Sequence, residues 1–189
     1  LMCQNIETIQ FLINLSAIEF NPWLSRYTTS DYPDYLVIDL DPSDHNSFAE
    51  VKEVAQAVKM ALDAKKITGF IKTSGKTGLH IYVPVAEQKT YAEVREEAFA
   101  IASEVHTALP TLTSLVRDPN QRRHLIYLDY LQNSRGQTMA AAYSLRPVDG
   151  ASISAPLAWE ELSESFVPQD FNIYTMLTRL REKGDLWSL

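Results

Sequence analysis

Two aspartates one residue apart follow an apolar segment in the first quarter of the sequence. Asp39 and Asp41 end the run Tyr-Leu-Val-Ile-Asp-Leu-Asp that begins at residue 35. Side chains alternate between the two faces of a β-strand, so both carboxylates would project from one face. Adjacent carboxylates repel each other unless a cation lies between them. Because Mg²⁺ and Mn²⁺ prefer oxygen ligands, the pair is a candidate metal site, and a turn with two solvated aspartates is the alternative.

A short segment with two glycines follows at residues 73–80, Thr-Ser-Gly-Lys-Thr-Gly-Leu-His. Glycines allow backbone N–H groups to approach a phosphate closely. Ser74 adds a hydroxyl, Lys76 a positive charge and His80 a further hydrogen-bond donor. The spacing is not that of a P-loop. The segment is therefore a candidate phosphate site, and the alternative is an ordinary tight hairpin with an exposed lysine.

A third acidic position ends the apolar segment His-Leu-Ile-Tyr-Leu-Asp at residues 124–129. Asp129 could complete a three-carboxylate site for two metal ions. Arg122 and Arg123 before this segment and Arg146 after it could bind a triphosphate in forked geometry. For each arginine, a solvated surface position is the alternative interpretation.

The composition narrows the class of protein. The chain has 189 residues, 46% of them hydrophobic, which is enough for one sizeable core. Its single cysteine excludes an intrachain disulfide and cysteine-rich zinc sites. No signal peptide and no apolar run of the ~18 residues that a membrane span requires is visible. The lack of an intrachain disulfide fits a reducing cytoplasm, where we expect the protein to act. The net charge of −7 argues against tight nucleic-acid binding by this chain alone, although five arginines lie between residues 117 and 146.

The elements that would position these residues alternate between helix and strand before the strands cluster. Apolar residues at helical spacing predict helices over 4–19, 46–65, 90–108 and 171–182, and a short helix over 157–164. Apolar, β-rich runs predict strands over 34–40, 67–73, 79–85 and 124–130, and one further strand within 136–145. The second and third of these strands would form a hairpin. The pattern predicts an α+β fold in which helices flank one mixed or antiparallel central sheet.

Taken in order, the motifs resemble the polymerase domain of bacterial LigD-type DNA ligases, a member of the archaeo-eukaryotic primase (primase-polymerase) superfamily. The resemblance rests on Asp-Leu-Asp-Pro at 39–42, the segment at 73–80, Leu-Asp-Tyr-Leu-Gln-Asn-Ser-Arg-Gly-Gln-Thr at 128–138, Ala-Tyr-Ser-Leu-Arg-Pro at 142–147 and Ala-Pro-Leu-x-Trp at 155–159. It also includes segments 15–26 and 171–187, so it covers nearly the whole chain.

The resemblance implies an RRM-like catalytic core that performs metal-dependent nucleotidyl transfer. It implies that Asp39, Asp41 and Asp129 hold two Mn²⁺ or Mg²⁺ ions. The residues that would bind the nucleoside triphosphate are Ser74, Lys76, His80, Arg122, Arg146, Gln132 and Asn133. It further implies gap filling and end processing of DNA ends or gapped DNA in non-homologous end joining. Ku and a ligase domain would be the partners, in a bacterial cytoplasm and at the nucleoid when the protein acts.

Two features depart from the family pattern. Many relatives carry a lysine beside the second glycine of the 73–80 segment, where Thr77 stands here and Lys76 lies one residue earlier. The family domain also has a further N-terminal part, so residues 1–189 are expected to form a single catalytic domain that lacks it. Two alternatives to polymerisation stay open. One is binding of nucleotide or of a repair partner without polymerase activity, and the other is a phosphohydrolase that uses the Asp-x-Asp pair.

Overall fold

A computed structural model of the chain describes residues 2–85 and 88–187. The α-helices of these residues are α1 (Ile6–Asn14), α2 (Phe48–Ala64), α3 (Tyr91–Ala108), α4 (Pro119–Arg122) and α5 (Met176–Lys183). The strands are β1 (Tyr35–Asp41), β2 (Phe70–Thr73), β3 (Leu79–Pro84), β4 (Thr113–Ser114), β5 (Ile126–Asp129) and β6 (Pro156–Leu157). Short 3₁₀ helices lie at Tyr27–Thr29, Trp159–Ser163 and Pro168–Asp170.

The strands form one mixed sheet in the order β4-β5-β1-β3-β2-β6. All neighbouring strands are antiparallel except β4 and β5, which are parallel. The predicted α+β fold with a mixed sheet is therefore confirmed. The hairpin of β2 and β3 around the glycine-containing segment is also confirmed.

The two faces of the sheet differ in character. Leu40, Ile81 and Leu128 lie on the face that packs in the main core, together with buried residues of α2 and α3 such as Val54 and Val94. Alternation along each strand sends the intervening side chains to the opposite face. That second face carries the polar residues described below, so the helices form a rigid support behind them.

Both supporting helices begin at capping boxes. The Ser47 hydroxyl accepts from the backbone N–H of Glu50, whose carboxylate accepts from the backbone N–H of Ser47. Thr90 and Glu93 make the same reciprocal pair at the start of α3. A cap of this kind stabilises a helix by about 1 kcal/mol. The predicted helix starts near residues 46 and 90 are confirmed.

Some predicted elements were wrong or displaced. The first helix ends at Asn14 rather than at residue 19. The strand predicted within 136–145 is absent from the described structure, where this segment makes only isolated bridges from Thr138 and Leu145. Tyr143 adopts a φ of 64°, which interrupts an extended chain there. The helix predicted over 157–164 is a 3₁₀ helix from Trp159, preceded by the edge strand β6.

The C-terminal helix is attached near edge strand β6 by ion pairs to one buried carboxylate. Arg179 and Lys183 of α5 both pair with the carboxylate of Glu161, and Arg179 also donates to the carbonyl of Pro156. Burial alone would raise the pKa of Glu161, but the hydrogen bonds from these two cations lower it to about 2. These contacts hold α5 against the segment that contains Pro156.

None of the helices in the described residues is both long and apolar enough to cross a lipid bilayer.

Candidate active site

Four polar residues on four adjacent strands stand side by side on the face of the sheet away from the main core. Strand pairing places Asp39 opposite Asp129 on one side and opposite His80 on the other, and His80 is in turn opposite Lys72. We call Lys72, His80, Asp39 and Asp129 the cross-strand row. Asp41 lies two residues beyond Asp39 and therefore on the same face.

Asp129 and Asp41 raise the cost of ionising Asp39. Burial is the main cause that raises the pKa of Asp39 to about 7, and the charges of Asp129 and Asp41 raise it further. Burial also raises the pKa of Asp129. A site that disfavours its own negative charges in this way favours a bound cation.

The three aspartates suit a hard divalent ion, because such ions prefer oxygen ligands and these side chains offer carboxylate oxygens. Within residues 2–85 and 88–187, however, no group of three or more His, Cys, Asp or Glu side chains is arranged to hold an ion. Asp41 accepts a 2.9 Å hydrogen bond from Arg122. Asp129 accepts hydrogen bonds from the backbone of Leu131 and the side chain of Gln132. An ion that uses Asp41 must therefore compete with Arg122.

The β2–β3 turn is built around Ser74. Its hydroxyl oxygen accepts hydrogen bonds from the backbone N–H groups of Lys76 at 3.1 Å and Gly78 at 3.0 Å. A Cβ atom at Gly78 would lie 2.2 Å from the carbonyl oxygen of Leu40, so only glycine lets the turn lie against β1 at this point. Since Leu40 separates Asp39 from Asp41, this contact places the turn directly beside the carboxylates. Lys76 itself is exposed.

The two predicted arginines lie on different sides of the site. Arg122 reaches Asp41 from α4, whereas Arg146 donates from Nη1 to the carbonyl oxygen of Ser74 at 3.1 Å. Both side chains are largely buried, at 10% and 12% exposed. Each keeps one buried nitrogen without a hydrogen-bond partner in the described structure, Nη1 of Arg122 and Nε of Arg146, although the latter lies 3.5 Å from a carboxylate oxygen of Glu19.

The amides of Gln132 and Asn133 have different surroundings. The Gln132 amide nitrogen donates to Asp129, while its carbonyl oxygen is buried and has no partner among the described residues. Asn133 is fully buried, and its side chain hydrogen-bonds the backbone of Val37 and the carbonyl of Tyr130. Asn133 thus extends the pairing of β1 beyond the end of β5. Its predicted role in the nucleotide pocket stays a prediction, as does that of Lys76.

Buried polar atoms without a hydrogen-bond partner are uncommon in folded proteins, and they often indicate a ligand or a functional role. Three of those found here belong to predicted site residues: Arg122, Arg146 and Gln132. Two of the three atoms are cationic donors beside an acidic cluster. A ligand that carries both negative charge and bound cations, such as a metal-bound polyphosphate, would satisfy both features.

Sequence reasoning missed one member of the cross-strand row, Lys72. This lysine is fully buried, lies 2.8 Å from Nδ1 of His80 and donates to Ser154 at 2.6 Å. Burial lowers its pKa to about 7, the charge of Asp39 opposes that shift, and Arg146 adds to it. A signal was available, because counting back from the 73–80 turn in hairpin register places Lys72 opposite His80.

The fold and the site together define the class. A mixed sheet backed by two helices presents paired aspartates on one strand, a third on its neighbour, and arginines on both sides. This is the arrangement expected of a primase-polymerase core. The chain belongs to the LigD primase-polymerase domain family, whose model matches residues 1–187. The resemblance stated from the motifs is thereby confirmed.

Individual relatives agree with this assignment. The chain is 34% identical over 186 residues to the bifunctional non-homologous end joining protein LigD of Bacillus subtilis, covering 97% of this chain and 30% of that protein. It is 32% identical over 190 residues to the multifunctional non-homologous end joining protein LigD of Pseudomonas aeruginosa, covering 100% of this chain and 23% of that protein. The chain thus spans less than a third of either relative.

A solved structure supports the fold directly. The polymerase domain of Mycobacterium tuberculosis Ligase D, determined in complex with DNA, superposes with a TM-score of 0.76 at 32% sequence identity. The match covers 82% of this chain and 54% of that one.

Proposed function

We propose that this chain performs template-directed nucleotidyl transfer to a primer 3′-hydroxyl, as a polymerase in gap filling and end processing during non-homologous end joining. The observation that carries the proposal is the cross-strand row with its flanking arginines. It unites carboxylates that favour a cation with two largely buried guanidinium groups. Nη1 of Arg122 has no partner in the described structure, and Nε of Arg146 makes no hydrogen bond there but lies 3.5 Å from Glu19. A metal-bound triphosphate would bring the cation that the carboxylates favour and the negative charge that the guanidinium groups can bind.

A LigD polymerase domain is generally metal-dependent. In the proposed function Asp39, Asp41 and Asp129 hold two divalent ions, Mn²⁺ or Mg²⁺. Such ions lower the pKa of a bound hydroxyl and neutralise charge on the leaving pyrophosphate. Asp39 is paired across the sheet with His80 on one side and Asp129 on the other, so its carboxylate has a polar neighbour on each side.

The remaining residues bind and orient the triphosphate. Arg122 and Arg146 supply charge-assisted donors on its two sides, from Nη1 and Nε. Ser74 and His80 supply neutral donors from the β2–β3 hairpin. Lys76 joins them from the tip of the turn when the nucleotide is present. Donors fixed by a folded scaffold stabilise developing negative charge without reorganisation during the reaction.

The partners follow from the same family. The solved relative was determined in complex with DNA, which supports gapped DNA or DNA ends as the second substrate. Ku and a ligase domain are the proposed protein partners, since the curated relatives are named as non-homologous end joining proteins. We place the activity in the bacterial cytoplasm, at the nucleoid during repair. We also propose that residues 1–189 act as one catalytic domain.

A non-polymerising role is the second candidate, and one observation favours it. The net charge of −7 opposes tight binding of DNA by this chain. On this alternative the chain binds nucleotide and metal but does not extend a primer.

The deciding experiment is incorporation of labelled nucleotide into a gapped, 5′-phosphorylated duplex with Mn²⁺. The wild-type chain is compared with Asp39→Asn and with Asp149→Asn, which removes a carboxylate elsewhere in the chain. We expect Asp39→Asn to reduce incorporation by about a thousandfold or more and Asp149→Asn to leave it unchanged. Full activity in Asp39→Asn would refute the proposal. Nucleotide and Mn²⁺ binding without incorporation by the wild-type chain would select the second candidate, and turnover of an aryl phosphate would indicate a phosphohydrolase.

A further inference from the structure

Tyr127 of β5 is a buried tyrosine that lies outside the apolar cores. Only 2% of its surface is exposed, yet it belongs to neither of the two clusters of buried apolar residues within residues 2–85 and 88–187. It stands directly opposite Asp41 in the pairing of β5 with β1, and two residues before Asp129 on the same face of the sheet. A large aromatic ring is therefore buried in the acidic part of the site.

The side chain that lies over this ring is that of Arg122. Its guanidinium carbon, Cζ, is 5.0 Å from the centroid of the Tyr127 ring, which is the geometry of a cation–π contact. The same guanidinium donates from Nη2 to Asp41 at 2.9 Å. Residues directly opposite each other on antiparallel strands have Cβ atoms about 5 Å apart. Arg122 therefore spans the cross-strand pair, with the ring of one strand and the carboxylate of the other as its two supports.

The backbone of Arg122 does not by itself orient the side chain. Arg122 is the last residue of α4, a helix of only four residues, and Arg123 after it adopts a left-handed φ of 54°. The N–H of Arg122 donates to the carbonyl of Asp118, and its carbonyl accepts from the N–H of Leu125, so the main chain is held in place. A long side chain at such a helix end has many rotamers, and its direction depends on the groups that it contacts.

An aromatic ring supports a guanidinium differently from a carboxylate. The ring attracts the face of the cation, whereas carboxylates and phosphates accept hydrogen bonds from the N–H groups at its edge. Tyr127 therefore uses none of the N–H donors of Arg122. Nη2 stays on Asp41, and Nη1 is buried without a hydrogen-bond partner in the part of the chain that the structure describes. The ring thus supports the guanidinium and leaves one donor available to a ligand.

We propose that Tyr127 is a positioning residue that holds the Arg122 guanidinium against its ring, so that Nη1 is presented to the triphosphate while Nη2 stays on Asp41. The identity of the anion rests on the proposed function. Without the ring, the guanidinium rotates about the single bonds of its side chain and Nη1 loses its fixed direction. Such a donor binds the nucleotide more weakly, because ordering the side chain then costs conformational entropy at each binding event.

Nuclear magnetic resonance of the chain with EDTA and without nucleotide tests the contact itself. Protons over the face of an aromatic ring resonate upfield, and the signals lost in Arg122→Met identify the Hδ and Hε protons of Arg122. We expect these signals to lie upfield in the wild-type chain and in Tyr127→Phe, and to move downfield in Tyr127→Leu. Unchanged Arg122 signals in a folded Tyr127→Leu chain would overturn the proposal, whatever the activity of the chain.

Three variants separate the ring from the hydroxyl and from packing. Tyr127→Phe keeps the ring and removes the hydroxyl, which lies near Asp129 without a well-formed hydrogen bond. Tyr127→Leu removes the ring. Tyr91→Leu controls for the loss of a buried ring, since Tyr91 is 7% exposed and packs in the second apolar cluster.

Kinetics with these variants extend the test to the substrate. The KM for nucleoside triphosphate should rise about threefold to tenfold in Tyr127→Leu and stay within about twofold of wild type in Tyr127→Phe and Tyr91→Leu. An equal rise in Tyr127→Phe would assign the effect to the hydroxyl and contradict a role of the ring.

A double-mutant cycle shows whether the effect passes through Arg122. Because the ring acts through this arginine, Tyr127→Leu should not raise the KM further once Arg122→Met is present. Effects of the two substitutions that simply multiply would argue against the proposal. If the wild-type chain incorporates nothing, the Kd for nucleotide with Mn²⁺ gives the same cycle. If it binds no nucleotide either, the proposed function fails, while the proton signals of Arg122 still decide whether Tyr127 holds it.

Discussion

Arg122 donates a 2.9 Å hydrogen bond from Nη2 to a carboxylate oxygen of Asp41. The contact joins the short helix α4 to the end of β1, and it neutralises one of the three carboxylates of the site. It also leaves Nη1 of the same guanidinium buried and without a partner in the described structure. Arg122 therefore pairs with a predicted metal ligand through Nη2 and can still donate a hydrogen bond to an anion from Nη1.

The first prediction follows from this competition. Arg122→Met should tighten binding of Mn²⁺ in the absence of nucleotide by about threefold to tenfold, since Asp41 no longer pairs with a cation. The same change should raise the KM for nucleoside triphosphate, because a charge-assisted donor is lost.

Titration of free Mn²⁺ by electron paramagnetic resonance measures the first effect, and steady-state incorporation measures the second. Arg123→Met, at the exposed neighbouring position, is the control. Weaker Mn²⁺ binding in Arg122→Met would show that the arginine supports the metal ligands rather than competing with the ion.

The second prediction concerns the dependence of stability on pH. The folded chain holds the pKa of Asp39 at about 7, above its ordinary value of 3.8. Between these two values the folded state retains a proton that the unfolded chain has lost. The contribution of Asp39 to the free energy of unfolding therefore falls as pH rises through this window.

Asp39→Asn removes that contribution. Without metal, the stability of Asp39→Asn relative to wild type should increase between pH 4 and pH 8 by on the order of 2 kcal/mol or more, since each pKa unit corresponds to ~1.4 kcal/mol. Urea unfolding with EDTA at the two pH values gives the measurement, and Asp149→Asn controls for the loss of one charge elsewhere in the chain. An equal stability difference at both pH values would contradict the raised pKa.

The third prediction concerns the contact between the β2–β3 turn and β1. Gly78→Ala should destabilise the chain by about 3 kcal/mol, because its Cβ would lie 2.2 Å from the carbonyl oxygen of Leu40. It should also reduce nucleotide incorporation, since Leu40 lies between two carboxylates of the site.

Gly136→Ala is the matched control. Gly136 has a φ of +86°, and a Cβ atom there would meet nothing within 4 Å, so the substitution strains only the local backbone, by about 1–2 kcal/mol. We expect it to lower thermal stability without affecting incorporation. Wild-type stability in Gly78→Ala would show that the turn can move away from β1.

Local sequence patterns predicted the parts of the fold that short-range physics controls. The apolar run at 34–40 became β1, and the capping boxes at Ser47 and Thr90 set the starts of the two supporting helices. The two-residue strands β4 and β6 were not predicted, because so short a strand is defined by its partner across the sheet and not by its own residues. The strand predicted within 136–145 was wrong for the converse reason, since β-forming residues there have no continuous partner in the described structure.

The aspartate pair and its shared face were determined by the sequence alone, because alternation along a strand requires no knowledge of the rest of the chain. Strand register brought Asp129 opposite Asp39, and it is a property of the assembled sheet. Only the tertiary structure showed that Arg122 holds Asp41 and that Lys72, not the exposed Lys76, lies in the cross-strand row. Both results depend on residues distant in sequence, whose contacts and burial arise only when the strands pair and the site closes around them.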